Sequence, residues 1–250
     1  MFEKPWIVSD ISECYFYHTM DVPGYGVQQG QWDLRGKFND YVGGLDLRAR
    51  RVLDIGTASG FLVFCSEEAE AQEVVAFDMD TAARQNLIPF ASTKYVTNHS
   101  SWIDDQNMFV DRWKRAFWLA HNAKHSKVKV NYGDVYAISP EIGTFDVVIV
   151  GAILEHLRDP FAGLASIASR TKDYLVINTA TLPSREPIAQ FMGRADDPQQ
   201  NYTWWLWSRG MYDQALRILG FRKIVMTEAM YPFVLNGTMD RRTAIVAKRI

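Results

Sequence analysis

The chain has 250 residues, of which 48% are hydrophobic, 13% aromatic and 22% charged. This composition can build one substantial core, and it excludes a disordered chain, a collagen-like chain and a small disulfide-stapled domain. With 27 Lys and Arg against 29 Asp and Glu, the formal net charge is −2, so no overall positive field attracts a phosphate-rich polymer. A nucleic-acid partner is therefore disfavoured, although composition alone leaves it open.

The chain has two cysteines, Cys14 and Cys65, with no Cys/His cluster around them, which argues against a disulfide framework and a zinc site. The longest apolar run, residues 147–154, is much shorter than the roughly 20 residues that cross a bilayer. The first residues are too polar for a secretory signal. We therefore expect a cytoplasmic protein without a membrane partner.

Short β-branched runs alternate along the chain with segments of helical spacing, a pattern typical of parallel strands joined by helical crossovers. The first predicted element is a helix with apolar residues at Leu34, Phe38, Tyr41 and Val42. Helices over residues 109–120 and 211–219 precede the third and sixth strands, and Asp159-Pro160 begins another. The seven predicted strands are residues 51–55, 73–77, 127–132, 145–150, 174–179, 223–228 and 243–248.

No repeat or Gly/Ser linker divides the chain, so we predict one main domain over residues 46–250. Residues 1–45 are expected to form an N-terminal lid or helical extension. Two insertions, at about 84–108 and at 183–203, are expected beside the carboxyl ends of the strands.

Residues 52–61 (VLDIGTASGF) are typical of a strand, a glycine-bearing turn and a helix. Gly56 permits a tight turn, and Gly60 permits close approach to a ligand. The dinucleotide fingerprint G-x-G-x-x-G requires a glycine where Ala58 stands, which disfavours pyrophosphate binding and an NAD-dependent oxidoreductase. Asp54, ahead of the turn, suits a cofactor that carries an ammonium group.

This motif resembles the first motif of the class I S-adenosylmethionine-dependent methyltransferases. Three further motifs follow in that family's order: residues 74–80 (VVAFDMD), 132–136 (YGDVY) and 145–157 (FDVVIVGAILEHL). The resemblance implies an α/β fold with a seven-stranded, mostly parallel Rossmann-like sheet, helices on both faces and an antiparallel last strand. It also implies S-adenosylmethionine as cofactor.

The resemblance implies that Asp78 holds both ribose hydroxyls, since a carboxylate can accept from two adjacent hydroxyls. It implies that Asp134 binds the adenine amino group, with the Val135 amide near the ring. The alternative for both aspartates is a loop carboxylate that caps a helix. The implied cofactor set comprises Asp54, Gly56, Thr57, Ala58, Gly60, Asp78, Met79, Asp134, Val135 and Gly151.

Residues 32–35 (WDLR), 156–160 (HLRDP) and 202–205 (YTWW) resemble a narrower group. It includes tRNA wobble-uridine carboxymethyltransferase-like proteins and uncharacterised bacterial methyltransferases. Because substrates differ widely within this group, the resemblance implies no particular substrate.

His156 is the candidate catalytic base, because an imidazole can accept a hydroxyl proton at neutral pH; the alternative is a histidine that only packs or caps a helix. Trp32 and Arg35, on the first predicted helix, are candidates to cover the sulfonium and to pair with the cofactor's carboxylate. The alternative is a packed indole and a solvated guanidinium. Ala152 stands where a metal-binding E-x-x-E-H motif has its first carboxylate, so no metal is expected.

Two aromatic clusters flank the motifs, and we expect them to line an acceptor pocket or to pack a lid. They are residues 15–17 with His18 and Tyr25, and Trp204, Trp205 and Trp207. A basic stretch over residues 112–129 is interpreted as a solvated surface. The predicted activity is methyl transfer to a hydroxyl, less readily an amine, of a small molecule such as a sugar or secondary metabolite. The alternatives are a tRNA-modifying methyl- or carboxymethyltransferase of the wobble-uridine type and a non-catalytic cofactor-binding regulatory module.

Overall fold

The computed structural model describes residues 2–82, 99–194 and 203–250, with the side chains of 99–103 excepted. The strands are β1 (Met20–Val22), β2 (Gly26–Gln28), β3 (Arg51–Ile55), β4 (Glu73–Met79), β5 (Lys129–Gly133), β6 (Phe145–Gly151), β7 (Thr171–Thr179), β8 (Ala189–Phe191), β9 (Trp205–Trp207), β10 (Phe221–Phe233) and β11 (Thr238–Arg249). The α-helices are α1 (Phe38–Tyr41), α2 (Phe61–Glu68), α3 (His99–Ala123), α4 (Pro160–Ala168) and α5 (Arg209–Ile218). Short 3-10 turns occupy Ile11–Glu13, Val135–Ala137, Pro140–Ile142 and Leu154–His156.

Seven strands form the main sheet in the order β10-β11-β7-β6-β3-β4-β5. β3, β4, β5, β6 and β7 pair in parallel, whereas β11 is antiparallel to both of its neighbours. The predicted sheet with its antiparallel last strand is therefore confirmed. β10 and β11 are longer than predicted, because they continue beyond the sheet as a hairpin in which the two strands pair with each other and Phe233 of β10 bridges to Trp32.

Alternate residues of the central strands face two different layers. Val52 packs with α2, α3 and the N-terminal segment, and Leu53 packs with α4 and α5. The sheet is thus buried on both faces, which explains why its strands are nearly continuous apolar runs.

The helix predicted over Leu34–Val42 is wrong in extent, since α1 spans only Phe38–Tyr41. Gly36 adopts a left-handed φ of +71°, which breaks the helical path. Trp32 makes β-bridges to His18 and Phe233 instead of joining a helix. The described part of residues 1–45 contains the β1–β2 hairpin and one-turn helices, and its role as a lid stays a prediction.

The predicted start of α4 is confirmed, because the Asp159 carboxylate accepts a hydrogen bond from the Ala162 N–H at 2.9 Å. Of the predicted insertion at 84–108, residues up to 98 lie outside the described part, and the remainder belongs to α3. The insertion at 183–203 contributes β8, which pairs with β9. Among the described residues, no helix is both long enough and apolar enough to cross a membrane.

Candidate active site

A cavity of about 800 Å³ opens at the carboxyl ends of the parallel strands. Its lining includes Gly56 after β3, Asp78 in β4, Gly133 in β5, Gly151 in β6 and Asn178 in β7. β3 lies between β4 and β6, where the strand order reverses, and ligands of open α/β sheets bind at such a point. The cavity therefore lies where the fold predicts a cofactor.

The turn after β3 presents its first glycine to this cavity. Gly56 has a left-handed φ of +82°, and a Cβ there would lie 2.4 Å from Ile153 Cγ2. Ala58 also adopts a left-handed φ, of +48°, and lines the cavity. Both predicted residues thus line the cavity, and the close approach of Ile153 explains why residue 56 has no side chain.

Gly60 has a different role from the predicted one. It does not line the cavity. A Cβ on it would lie 2.7 Å from ring atoms of both Phe117 and Phe64. The glycine therefore allows α2 to pack closely against α3, and the expectation that it admits a ligand is corrected. Thr57 is likewise buried and does not line the cavity.

Asp78 lines the cavity although it is only 5% exposed. Its Oδ2 accepts the Ala58 N–H at 2.6 Å, and its Oδ1 accepts the Met79 N–H at 2.7 Å. Burial raises the pKa of this carboxyl, and the two amides oppose that rise. Each oxygen keeps a further lone pair for a ligand hydroxyl. Met79 also lines the cavity.

Lys114 of α3 lies near this carboxylate and is buried, contrary to the predicted solvated surface. Its ammonium donates to the Asp80 carbonyl at 2.7 Å and lies 4.3 Å from the centre of the Tyr132 ring. Other members of the basic stretch pair with acidic residues, as Arg115 does with Glu13 at 2.7 Å. The stretch is thus part buried and part paired.

Asp54 is fully buried at the end of β3, and neither carboxylate oxygen has a hydrogen-bond partner among the described residues. Burial raises the pKa of this carboxyl to about 7, and the nearby Thr57 hydroxyl opposes the rise. Asp54 does not line the cavity. A buried carboxyl without a partner is costly in its charged form, which agrees with the raised pKa, and the predicted role of Asp54 toward the cofactor stays a prediction.

The third motif contributes Val135 and Gly133 to the lining, but not Asp134. The Asp134 carboxylate accepts the Tyr136 N–H at 2.9 Å and caps the 3-10 turn that follows. This contact is the capping role that the sequence left as the alternative for Asp134. Gly151 lines the cavity, and a Cβ there would lie 2.5 Å from the Tyr41 hydroxyl.

The structure separates Trp32 from Arg35. Trp32 lines the cavity and packs on Phe233 with ring centres 4.7 Å apart. Arg35 does not line it, and the guanidinium pairs with Asp33 at 2.9 and 2.6 Å with 45% of its side chain exposed. The predicted pairing of Arg35 with a cofactor carboxylate is corrected, because the helix expected to carry both residues does not form there.

His156 ends the 3-10 turn after β6 and lines the cavity. Its neighbour Glu155 is only 6% exposed, accepts from Arg242 Nη1 at 2.6 Å and also accepts from the Thr179 hydroxyl. Burial is the largest influence and raises the pKa of Glu155, but the charges of Arg242 and His156 and the hydrogen bonds from Thr179 and Arg242 together outweigh it and lower the pKa. The predicted base therefore borders a buried ion pair that faces the cavity.

Sequence reasoning missed Arg242. It lies in β11, just before the residues that pair with β7, and it lines the cavity. Its guanidinium carbon stands 5.0 Å from the centre of the Trp32 ring. A usable signal was present, namely an arginine directly before the predicted strand at 243–248, but only the sheet order brings it to Glu155.

Aromatic rings form the outer walls of the cavity. The rings come from both predicted clusters, from Trp32, from α3 and from the β10–β11 hairpin: Tyr15, Tyr17, Trp32, Phe109, Trp113, Trp204 and Phe233. Tyr25, Trp205 and Trp207 do not line it. The backbone N–H of Trp204 donates a hydrogen bond to the backbone carbonyl of Glu155 at 2.8 Å, which fixes the position of Trp204 in the chain. The two clusters thus each supply part of the wall.

His18 is a buried polar member of the lining. Burial lowers its pKa to about 3, so the imidazole is neutral at physiological pH, and Nδ1 has no partner among the described residues.

The described residues also contain no group of three or more His, Cys, Asp or Glu that could hold a metal ion.

Residues 33–224 match the family model described as a methyltransferase domain (Methyltransf_23). No curated protein has significant sequence similarity to the chain.

Solved structures with the same fold include an S-adenosylmethionine dependent methyltransferase from Mesorhizobium loti. Its TM-score is 0.55 at 12% identity, and the match covers 86% of this chain and 97% of that one. Magnesium protoporphyrin IX methyltransferase (ChlM) from Synechocystis PCC 6803, with bound cofactor, has a TM-score of 0.55 at 15% identity, with 87% and 78% covered. A candidate RNA methyltransferase, PH1948 from Pyrococcus horikoshii, has a TM-score of 0.55 at 12% identity, with 86% and 85% covered.

Proposed function

Because the chain belongs to the methyltransferase-domain family and is a class I S-adenosylmethionine-dependent methyltransferase, we propose that it methylates a hydroxyl oxygen of a small molecule. The observation that carries this proposal is the chemistry of the outer cavity. Aromatic rings form its walls, and Arg242 is the one Lys or Arg among the described residues that line it. Arg242 is already paired with acidic side chains.

The cofactor half of the cavity fits S-adenosylmethionine. Asp78 offers the ribose hydroxyls two carboxylate oxygens that backbone amides hold in place. Met79 and Val135 offer apolar surface to the adenine, and Gly56 and Ala58 form the turn beside the methionine end. Asn178 and His18 line the cavity, and their buried Oδ1 and Nδ1 atoms have no partner among the described residues, so each is a candidate to accept a hydrogen bond from a polar ligand.

When bound, the cofactor supplies a methyl group that its sulfonium makes electrophilic. The chain then has to hold the acceptor oxygen in line with that methyl group and to receive the hydroxyl proton. His156 lines the same cavity and can receive the proton at its imidazole, with Glu155 next to it. A hydroxyl acceptor needs a base to remove its proton as it attacks the methyl group, whereas a neutral amine is already nucleophilic. A base at this position therefore favours a hydroxyl acceptor.

A tRNA acceptor is the competing proposal, since one structural neighbour is a candidate RNA methyltransferase. The described surface argues against it, because Lys124 and Lys129 are paired with Glu68 and Glu73 at 3.2 and 2.5 Å. Membership of an enzyme family sets aside the non-catalytic module. The free thiols of Cys14 and Cys65 agree with the cytoplasmic location that we propose.

The test is methyl transfer from labelled S-adenosylmethionine to two kinds of acceptor, a panel of phenols, sugars and amines and, separately, bulk tRNA. Mass spectrometry locates the added methyl group, and the same reaction without protein provides the blank. We expect transfer to oxygen in the small-molecule panel. Transfer to tRNA alone, with binding that falls steeply as salt rises, would replace this proposal with the RNA one.

A further inference from the structure

Arg242 is held in one position at the wall of the cavity. Only 14% of its side chain is exposed. Nη1 donates to Glu155 at 2.6 Å, Nε lies 2.9 Å from Asp240 Oδ2, and the guanidinium covers the Trp32 ring. Fixing an arginine in this way removes the entropy cost of ordering it when a ligand binds.

One end of this guanidinium is unused. Its Nη2 has no hydrogen-bond partner in the part of the chain that the structure describes. Because Arg242 lines the cavity, these N–H groups are available to a bound acceptor. An unpartnered donor on a residue that lines the cavity favours a ligand that carries an acceptor oxygen there.

The charges around Arg242 indicate which oxygen fits. Glu155 and Asp240 both lie within salt-bridge distance, so two carboxylates already surround one cation. A carboxylate or phosphate on the ligand would add a further negative charge beside the buried Glu155, and like charges at such range repel strongly. A neutral carbonyl or hydroxyl oxygen accepts the same hydrogen bond without that cost.

The aromatic walls of the cavity that Arg242 lines indicate the shape of the ligand. Trp32 and Phe233 lie in contact, and Tyr15 meets Phe109 edge-on with ring centres 6.1 Å apart. Aromatic surfaces of this kind bind flat rings better than hydrated sugars, since a ring buries apolar area and stacks.

Building on the proposed function, we propose that Arg242 is a specificity-determining residue, which donates a hydrogen bond to a neutral oxygen on a flat aromatic acceptor. Glu155 acts through Arg242 as a positioning residue, because it holds the guanidinium that the acceptor meets. The acceptor class is therefore narrower than small-molecule alcohols in general.

Equilibrium dialysis of protein saturated with S-adenosylhomocysteine tests this inference without any turnover. The probes are 2-naphthol, naphthalene, 2-naphthoate and methyl glucoside. We expect 2-naphthol to bind roughly tenfold or more tightly than naphthalene, the range for a hydrogen bond from a charged donor. We expect 2-naphthoate and methyl glucoside to bind more weakly than 2-naphthol.

Arg242→Gln should abolish the advantage of 2-naphthol over naphthalene, whereas the matched control Arg241→Gln, at an exposed neighbouring position, should keep it. Because Arg242→Gln leaves Glu155 buried and unpaired, the double variant Arg242→Met/Glu155→Met supplies a second test with neither charge. Unchanged affinity for S-adenosylhomocysteine shows that each variant is folded.

Equal binding of 2-naphthol and naphthalene to the wild type, or an advantage that survives in the folded double variant, would overturn the role of Arg242. If 2-naphthoate binds more tightly than 2-naphthol, the inference that the acceptor oxygen is neutral is wrong. If methyl glucoside binds more tightly than 2-naphthol, the inference that the acceptor is a flat aromatic ring is wrong. These results are separate from failure of the proposed function, which appears as absence of transfer to hydroxyls while the binding preferences remain.

Discussion

The Ser59 hydroxyl oxygen accepts a hydrogen bond from the Tyr17 N–H at 3.1 Å, and a second from the His18 N–H at 3.3 Å. Ser59 belongs to the turn that presents Gly56 and Ala58 to the cavity, and it is fully buried. Tyr17 and His18 line the same cavity from the N-terminal segment. The Ser59 side chain therefore connects the N-terminal segment at Tyr17 and His18 to the turn that contains Gly56 and Ala58.

We expect Ser59→Ala to destabilise the protein by about 1–3 kcal/mol, because it removes the acceptor of two buried amides. Denaturant unfolding measures this change. Limited proteolysis should also cut the N-terminal segment faster, because its docking is weakened. Ser12→Ala, at an exposed site, is the control and should leave both properties unaltered. Wild-type stability in the Ser59 variant would mean that water replaces the hydroxyl.

Asp78→Asn should weaken the binding of S-adenosylhomocysteine by roughly tenfold or more, as expected for charge-assisted hydrogen bonds to a buried group. An amide has a single acceptor atom, so its NH₂ would face the N–H of either Ala58 or Met79, and a ribose hydroxyl would lose its partner. Calorimetry gives the affinity. Asp21→Asn, in an exposed part of β1, should bind as the wild type does. An unchanged dissociation constant for S-adenosylhomocysteine in the Asp78 variant would show that Asp78 does not bind the ribose.

The sheet could be predicted from the sequence because its central strands are short β-branched runs buried on both faces. The strand β3 was predicted with its exact bounds at Arg51–Ile55. The N-terminal helix was not, since apolar spacing at Leu34 and Phe38 gives no sign that Gly36 turns left-handed or that Trp32 bridges to distant Phe233.

The site divides in the same way. Asp78 and Gly56 stand directly after or at the end of strands, so local sequence was enough to place them at the cavity. Arg242 and Glu155 are 87 residues apart and meet only because β11 inserts beside β7. The sequence predicted that Gly60 leaves room for a ligand. The group that occupies this space is the ring of Phe117, which comes from a helix far along the chain and could not be foreseen from the local motif.

His156→Gln should lower kcat about 100-fold or more, the usual contribution of a general base, while the affinity for S-adenosylhomocysteine stays constant. The measurement is steady-state transfer to the best hydroxyl acceptor found in the panel. His125→Gln, at an exposed position, is the matched control and should retain full kcat. Full turnover in the His156 variant would assign this histidine to packing, the alternative that its sequence left open.

Asp54 should make stability depend on pH. Its pKa in the folded state is raised from 3.8 to about 7, so between those values the folded state keeps a proton that the unfolded state releases. Raising the pH through this window therefore lowers the free energy of unfolding, by up to about 1.4 kcal/mol per pH unit for one proton. Below the window Asp54 is protonated in both states, and above it both states are ionised.

His18 acts in the opposite direction, since its lowered pKa makes stability rise with pH up to about 6.5. The difference between wild type and Asp54→Asn, from denaturant unfolding at a series of pH values, cancels the His18 contribution. We expect the variant to gain on the wild type as the pH rises from 4 to 7 and the difference to become level above that. Asp21→Asn should follow the wild type throughout, and parallel curves for the Asp54 variant would show that Asp54 is ionised in the folded protein across the whole window.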